Sequence, residues 1–75
     1  MTLLDTIIRN ESDMLLDSIK TSHPEITFTI RTTGTTHRVS GWVGRMRFYD
    51  ETVDHEYGLI VAIKAAMDVY VELAA

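Results

Sequence analysis

The sequence predicts an α+β fold: an N-terminal helix, a small antiparallel sheet of two or three strands, and a long C-terminal helix. Three observations carry this. Apolar residues recur at helical spacing over residues 3 to 20, they alternate strictly over residues 26 to 31, and a second helical stretch runs from about residue 53 to about residue 73. Helices and a one-sided sheet bury their apolar faces by layering against each other. The chain has 75 residues, 45% of them hydrophobic and 24% charged, which is the composition of one globular domain spanning residues 1–75.

The first helix is set by Leu3, Leu4, Ile7, Ile8, Met14, Leu15 and Ile19, which share one face when residues are placed 100° apart. Thr2 and Asp5 have the spacing of a capping box. Glu11 lies inside the apolar arc. A carboxylate there is expensive unless paired, so it is expected either to meet an arginine of the hairpin or to face a partner. A break at Asn10 would instead leave it in water.

Thr21-Ser22-His23-Pro24 ends the helix, because the residue before proline is pushed towards extended geometry. Ile26, Phe28 and Ile30 then face one way, and Thr27, Thr29 and Arg31 the other, as in a half-buried strand over about 26–32. Gly34 supplies positive φ for the turn. A second strand is expected over about 37–49. Val39, Gly41 and Val43 share one of its faces, and Arg38, Ser40 and Trp42 the other. After Gly44 the parity changes, and Met46 and Phe48 become the apolar positions. Such a shift beside glycine signals a bulge or a corner near residue 44, giving one bent strand or two strands meeting there.

Asp50 to Glu56 is expected to open the last helix, capped by Asp50 or Thr52, with Asp54 and Glu56 suited to its positive dipole end. The apolar residues of this helix cover about 200° of its circumference, against somewhat over 100° for an ordinary surface helix. One small sheet and one helix cannot easily cover that. A second copy could, through Tyr57, Ile60, Val61, Met67 and Val71, so a homodimer is expected.

A partner chain also answers a problem of size. A chain this short hides only about 60% of its unfolded surface, and small domains commonly need disulfides, metal or association to compensate. With no cysteine in the sequence, disulfides and thiolate zinc sites are excluded. A reducing cytoplasm is the default compartment for such a chain. The first residues lack a basic region, so no secretory peptide is expected. The longest apolar run, Leu59–Ile63, has five residues, where a membrane span needs about 20, so no membrane partner is expected.

Seven basic and eleven acidic residues give a net charge of −4, but unevenly. Residues 26–49 hold Arg31, Arg38, Arg45 and Arg47 and no acid, which makes +4. The remaining three basic and eleven acidic residues make −8. The basic hairpin suits an anion or an acidic partner. It would equally suit ion pairing to the protein's own acidic helices. The cluster Asp50, Glu51, Asp54 and Glu56 reads as a solvated helix start, or as a surface for a basic partner.

Motifs for catalysis are missing. His23, His37 and His55 do not form a helical metal pair, and Asp54-His55-Glu56 would point 100° apart on a helix. Gly34, Gly41, Gly44 and Gly58 fit no phosphate-loop spacing. No cofactor, metal or catalytic residue is expected, and the protein is read as a non-enzyme. Arginines interleaved with Trp42, Phe48 and Tyr49 could grip phosphates and stack bases, although Phe28, Phe48 and Trp42 are expected mainly in the core. The order of elements is similar to that of the double-stranded RNA-binding domain. Such domains place basic residues where this chain has Asp50, Glu51, Asp54 and Glu56, so the likeness is one of layout alone and assigns no family.

The sequence is therefore read as a non-enzymatic, self-associating protein-protein interaction module. Its size, acidity and lack of motifs suit a small regulatory or inhibitory protein of viral or mobile-element origin that occludes a host macromolecule. The partner-binding candidates are Arg31, Arg38, Trp42, Arg45, Arg47, Asp50, Glu51, Asp54 and Glu56. The alternative is a nucleic-acid-binding module that uses the basic hairpin face.

Overall fold

The computed structural model describes residues 3–75 and all of their side chains except that of Asp5. The expected Thr2–Asp5 capping box lies outside the described residues. The order is α1 (Leu3–Ser22), β1 (Ile26–Thr33), β2 (Thr36–Val43), β3 (Met46–Val53) and α2 (Glu56–Ala74). The three strands form one antiparallel sheet in the order β1-β2-β3. This is the predicted α+β class, with three strands out of the two or three expected.

Helix α1 runs unbroken through Asn10. It ends where the His23 N–H donates to the Ile19 carbonyl at 2.6 Å, just before Pro24 removes the next donor. Its buried flank is not the centre of the apolar arc. Ser12 and Ile19 are buried and Ile8, Leu15 and Leu16 half-buried, whereas Leu3, Leu4, Ile7 and Met14 stay outside. The Ser12 hydroxyl donates to the Ile8 carbonyl at 3.1 Å, which lets a polar residue sit inside the helix packing at little cost.

Two-residue turns join the strands. Gly34 has φ 62° and Gly44 has φ 60°. Each is the first loop residue, the position at which a type II′ hairpin turn requires positive φ. The predicted corner at Gly44 is thus a second hairpin, and of the two readings of residues 37–49, one bent strand or two strands meeting there, the second holds. The bulge is also present, displaced along the chain. Gly41 pairs with Tyr49 and Trp42 with Arg47, so Phe48 is the extra residue. The bulge brings Phe48 and Tyr49 both into contact with the core. Gly41 makes room for it: a Cβ there would stand 2.8 Å from the Phe48 ring.

Strand β3 continues to Val53, through residues expected to start the helix. Asp50 and Thr52 are therefore strand residues, opposite Ser40 and Arg38, and cap nothing. The cap of α2 is His55, in extended geometry, whose Nδ1 accepts from the Gly58 N–H at 3.0 Å.

Both helices cover one face of the sheet. The core joins Ile19 of α1, Ile26 of β1, Val39 of β2, and Leu59, Ala62 and Ile63 of α2. Burying a side chain such as Leu59 or Ile63 contributes about 1.5–3 kcal/mol. Phe28 and Phe48 pack against this core as expected. Arg9 in the first half of α1 reaches Glu56 at the start of α2, and His23 beyond the end of α1 meets Tyr70 near the end of α2. The two helices therefore run side by side in the same direction.

Candidate functional site

The open face of the sheet carries the arginines. It is built from the residues that alternate away from the core: Thr29 and Arg31 of β1, Arg38, Ser40 and Trp42 of β2, Arg47 and Asp50 of β3. Arg31 and Arg38 stand directly opposite each other, an arrangement that is unfavourable unless one charge is compensated. Asp50 supplies the compensation. Arg38 Nε and one terminal nitrogen donate to its two carboxylate oxygens at 3.0 and 2.9 Å, and the Ser40 hydroxyl donates at 3.0 Å. Arg47 approaches within 3.6 Å. This bidentate arrangement, chiefly the Arg38 hydrogen bond, holds the Asp50 carboxyl well below the usual range, at about 2.

Trp42 belongs to this outer face and is not part of the core. Its indole N–H donates to Thr29 Oγ1 at 3.0 Å, and the Arg47 guanidinium stands 5.7 Å from the ring centre. Among the described residues, Arg31 and Arg45 form no ion pair with a carboxylate. The +4 hairpin is therefore partly neutralised, and by a neighbouring strand rather than by the helices.

The acidic group from 50 to 56 is divided by strand alternation. Asp50 faces the arginines. Glu51 accepts a hydrogen bond from the Tyr49 hydroxyl, and burial together with that carboxylate pushes the Tyr49 hydroxyl up to about 12. Asp54 is exposed before α2. Glu56 turns inward: its Oε1 lies 3.0 Å from Arg9 and 3.2 Å from Nε2 of His37. The four residues do not form one surface for a basic partner.

That internal node was not visible in the sequence. His37 is 1% exposed and Glu56 16%. Nδ1 of His37 is 2.9 Å from Thr32 Oγ1. The contact on Nε2 lies at ion-pair distance without hydrogen-bond alignment. Thus α1, β1, β2 and the first turn of α2 meet at one charged point. Among the described residues, no group of three or more His, Asp or Glu side chains is arranged to hold a metal ion.

The other candidate surface is the helix layer. Leu3, Leu4, Ile7 and Met14 on α1, and Tyr57, Val61, Val71 and Leu73 on α2, are all about half exposed or more. Of the five residues expected to mediate self-association, Tyr57, Val61 and Val71 are available. Ile60 is buried in the protein's own core and Met67 is half-buried. Glu11 is exposed within the uncovered α1 strip, and among the described residues it meets no arginine. Among the described residues no helix is long and apolar enough to cross a membrane.

Compared with family models, with curated proteins and with solved structures, the chain gives no match.

Proposed function

We propose that the protein is a non-enzymatic interaction module that self-associates and acts by contact. The observation that carries this is the uncovered helix layer: eight large apolar side chains on α1 and α2 stand about half exposed or more, whereas scattered single residues are what a monomer ordinarily shows. Two faces give such a module two tasks. One helix face holds a second copy, and the remaining apolar strip of α1, with Glu11 within it, is free for a different protein. In this reading the protein works in the cytoplasm as a small regulatory or inhibitory factor, of viral or mobile-element origin, by occluding a macromolecule.

Sedimentation velocity across a concentration series tests the self-association. A dimer at micromolar concentration supports the proposal, and Val61→Lys should return it to monomer without loss of helicity. A wild-type chain that stays monomeric at hundreds of micromolar removes it.

A second reading, a nucleic-acid-binding module, rests on Arg31, which is exposed on the same sheet face as Trp42 and, among the described residues, forms no ion pair with a carboxylate. Asp50 on that face opposes it. Binding of labelled single-stranded or double-stranded nucleic acid that weakens steeply with salt and is lost in Arg31→Glu would favour this reading. No binding at low salt would exclude it.

A further inference from the structure

The outward ridge of α2 runs Tyr57, Val61, Lys64, Asp68 and Val71 and continues onto the C-cap residue Ala75, at alternating spacings of four and three residues. All six are exposed. This is the spacing of a coiled-coil seam, in which such residues face a second helix along its whole length. Two of them are charged, and these decide what the second helix can be.

If two copies of α2 pair in the same direction, Lys64 meets Lys64 and Asp68 meets Asp68. If they pair antiparallel about a two-fold axis level with residue 66, every ridge residue meets another member of the ridge. Val61 meets Val71, Lys64 meets Asp68, and Tyr57 meets Ala75, each twice. The register places opposite charges together, valine against valine, and the largest residue against one of the smallest. Within one chain Lys64 and Asp68 form no ion pair among the described residues. Their order, with the base four residues before the acid, is also the weaker one for a helix. Gly58, Ala65 and Glu72 flank the ridge on one side; Gly58 and Ala65 add no bulk to hold a second helix away, and the exposed Glu72 lies at its C-terminal end.

The uncovered ridge of α1 fails the same test. Leu4, Ile7, Glu11, Met14 and Ser18 also follow three-and-four spacing. A parallel copy would set Glu11 against Glu11, and an antiparallel one would set Glu11 against Met14. Charge therefore selects α2 for the second copy.

We infer that the protein forms an isologous dimer in which the α2 helices pack antiparallel about residue 66, with Lys64 of each chain paired to Asp68 of the other. This rests on the self-association proposed above and adds its face, direction and register. The ridge from residue 57 to residue 75 is about 27 Å long at 1.5 Å per residue. One helix pair of that length sits at the low end of stable interfaces, so the dimer dissociates in the micromolar range.

The test is a charge exchange read by sedimentation velocity, with circular dichroism to confirm folding. Lys64→Asp and Asp68→Lys each put like charges together twice across the axis, and each weakens the dimer by about tenfold. The double variant Lys64→Asp/Asp68→Lys restores opposite charges in every pair and returns the wild-type dissociation constant. A parallel pairing would leave the double variant no better or worse than wild type, with the singles unchanged. A wild-type dimer indifferent to all three variants, or singles weakened without recovery in the double, overturns the register and leaves self-association standing. A monomeric wild type overturns both. Because the sequence contains no cysteine, Val61→Cys and Val71→Cys give an independent reading. The mixture cross-links under mild oxidation and neither variant does so alone. Cross-linking of Val61→Cys to itself contradicts the antiparallel arrangement.

Discussion

Nε2 of His37 lies 3.2 Å from Oε1 of Glu56, and this one carboxylate oxygen also lies 3.0 Å from Arg9. The histidine comes from the middle strand, the glutamate from the first turn of α2 and the arginine from α1. The contact therefore ties both helices to the sheet at the end where α2 begins. It also places a carboxylate at a helix N-terminus, where the dipole favours it.

The two partners of Glu56 differ in burial, 1% exposed for His37 and 41% for Arg9, and this predicts unequal mutants. Removing one member of a buried polar contact costs more than removing one of an exposed pair. Glu56→Ala, which leaves the buried His37 Nε2 without its polar neighbour, should destabilise the fold by about 2–3 kcal/mol, and Arg9→Ala by no more than about 1 kcal/mol. Urea denaturation measures both. Equal losses would mean that Glu56 serves only Arg9.

Gly41 is required by the bulge, not by its own backbone. A Cβ there would meet the Phe48 ring at 2.8, 3.1 and 3.3 Å. That ring also packs against Tyr70, with centroids 5.6 Å apart. Gly41→Ala is thus an overpacking change, expected to cost about 1–3 kcal/mol. Gly41→Ala combined with Phe48→Leu should recover part of the loss in the same denaturation assay. A Gly41→Ala protein as stable as wild type would show that Phe48 can move aside.

Asp50 predicts the acid limb of stability. Its carboxyl is lowered from 3.8 to about 2, first by the Arg38 hydrogen bond and then by Ser40 and the neighbouring guanidinium charges. A carboxylate with a depressed folded value stabilises fully above its unfolded value and loses that contribution as pH falls towards the folded one. Stability should therefore decline from about pH 4 towards pH 2, and Asp50→Asn should flatten that decline. Glu25 is also lowered, mainly by a backbone hydrogen bond and then by the Tyr70 hydroxyl, so the variant removes part of the slope and not all of it. Identical slopes in the two proteins would show that the Arg38 pair contributes nothing.

The same residue shows where sequence reasoning stops. The faces of β1 and β2 and the turn at Gly34 follow from alternation and from glycine, both local signals. Asp50 and Thr52 carry equally good local signals for a helix start, but their partners lie on β2 at Ser40 and Arg38. That pairing is fixed by the bulge at Phe48 and is not encoded by any spacing. His55 escaped as a cap because histidine is outside the usual capping set. On α1 the apolar arc was legible, and the flank that packs was not. Arg9 and Ser12 enter the packed side because Glu56 and the Ile8 carbonyl satisfy them. Of the candidate sites, the arginine face was legible as a charge excess and the Glu56 node was not legible at all.

Glu11 closes this question in a measurable form. It is exposed on an unbroken helix, between Ile7 and Met14, which are themselves uncovered. Among the described residues Glu11 has no ion-pair partner, so the charge is not expected to hold the monomer together. Glu11→Leu should therefore leave the folding free energy within about 0.5 kcal/mol of wild type. It would also join Leu4, Ile7 and Met14 into one continuous apolar ridge, the kind of patch that promotes unspecific association. Light scattering at rising concentration should then show larger assemblies for Glu11→Leu than for the wild type. A soluble Glu11→Leu protein that is destabilised by more than about 1 kcal/mol would show instead that the carboxylate has a structural partner in solution.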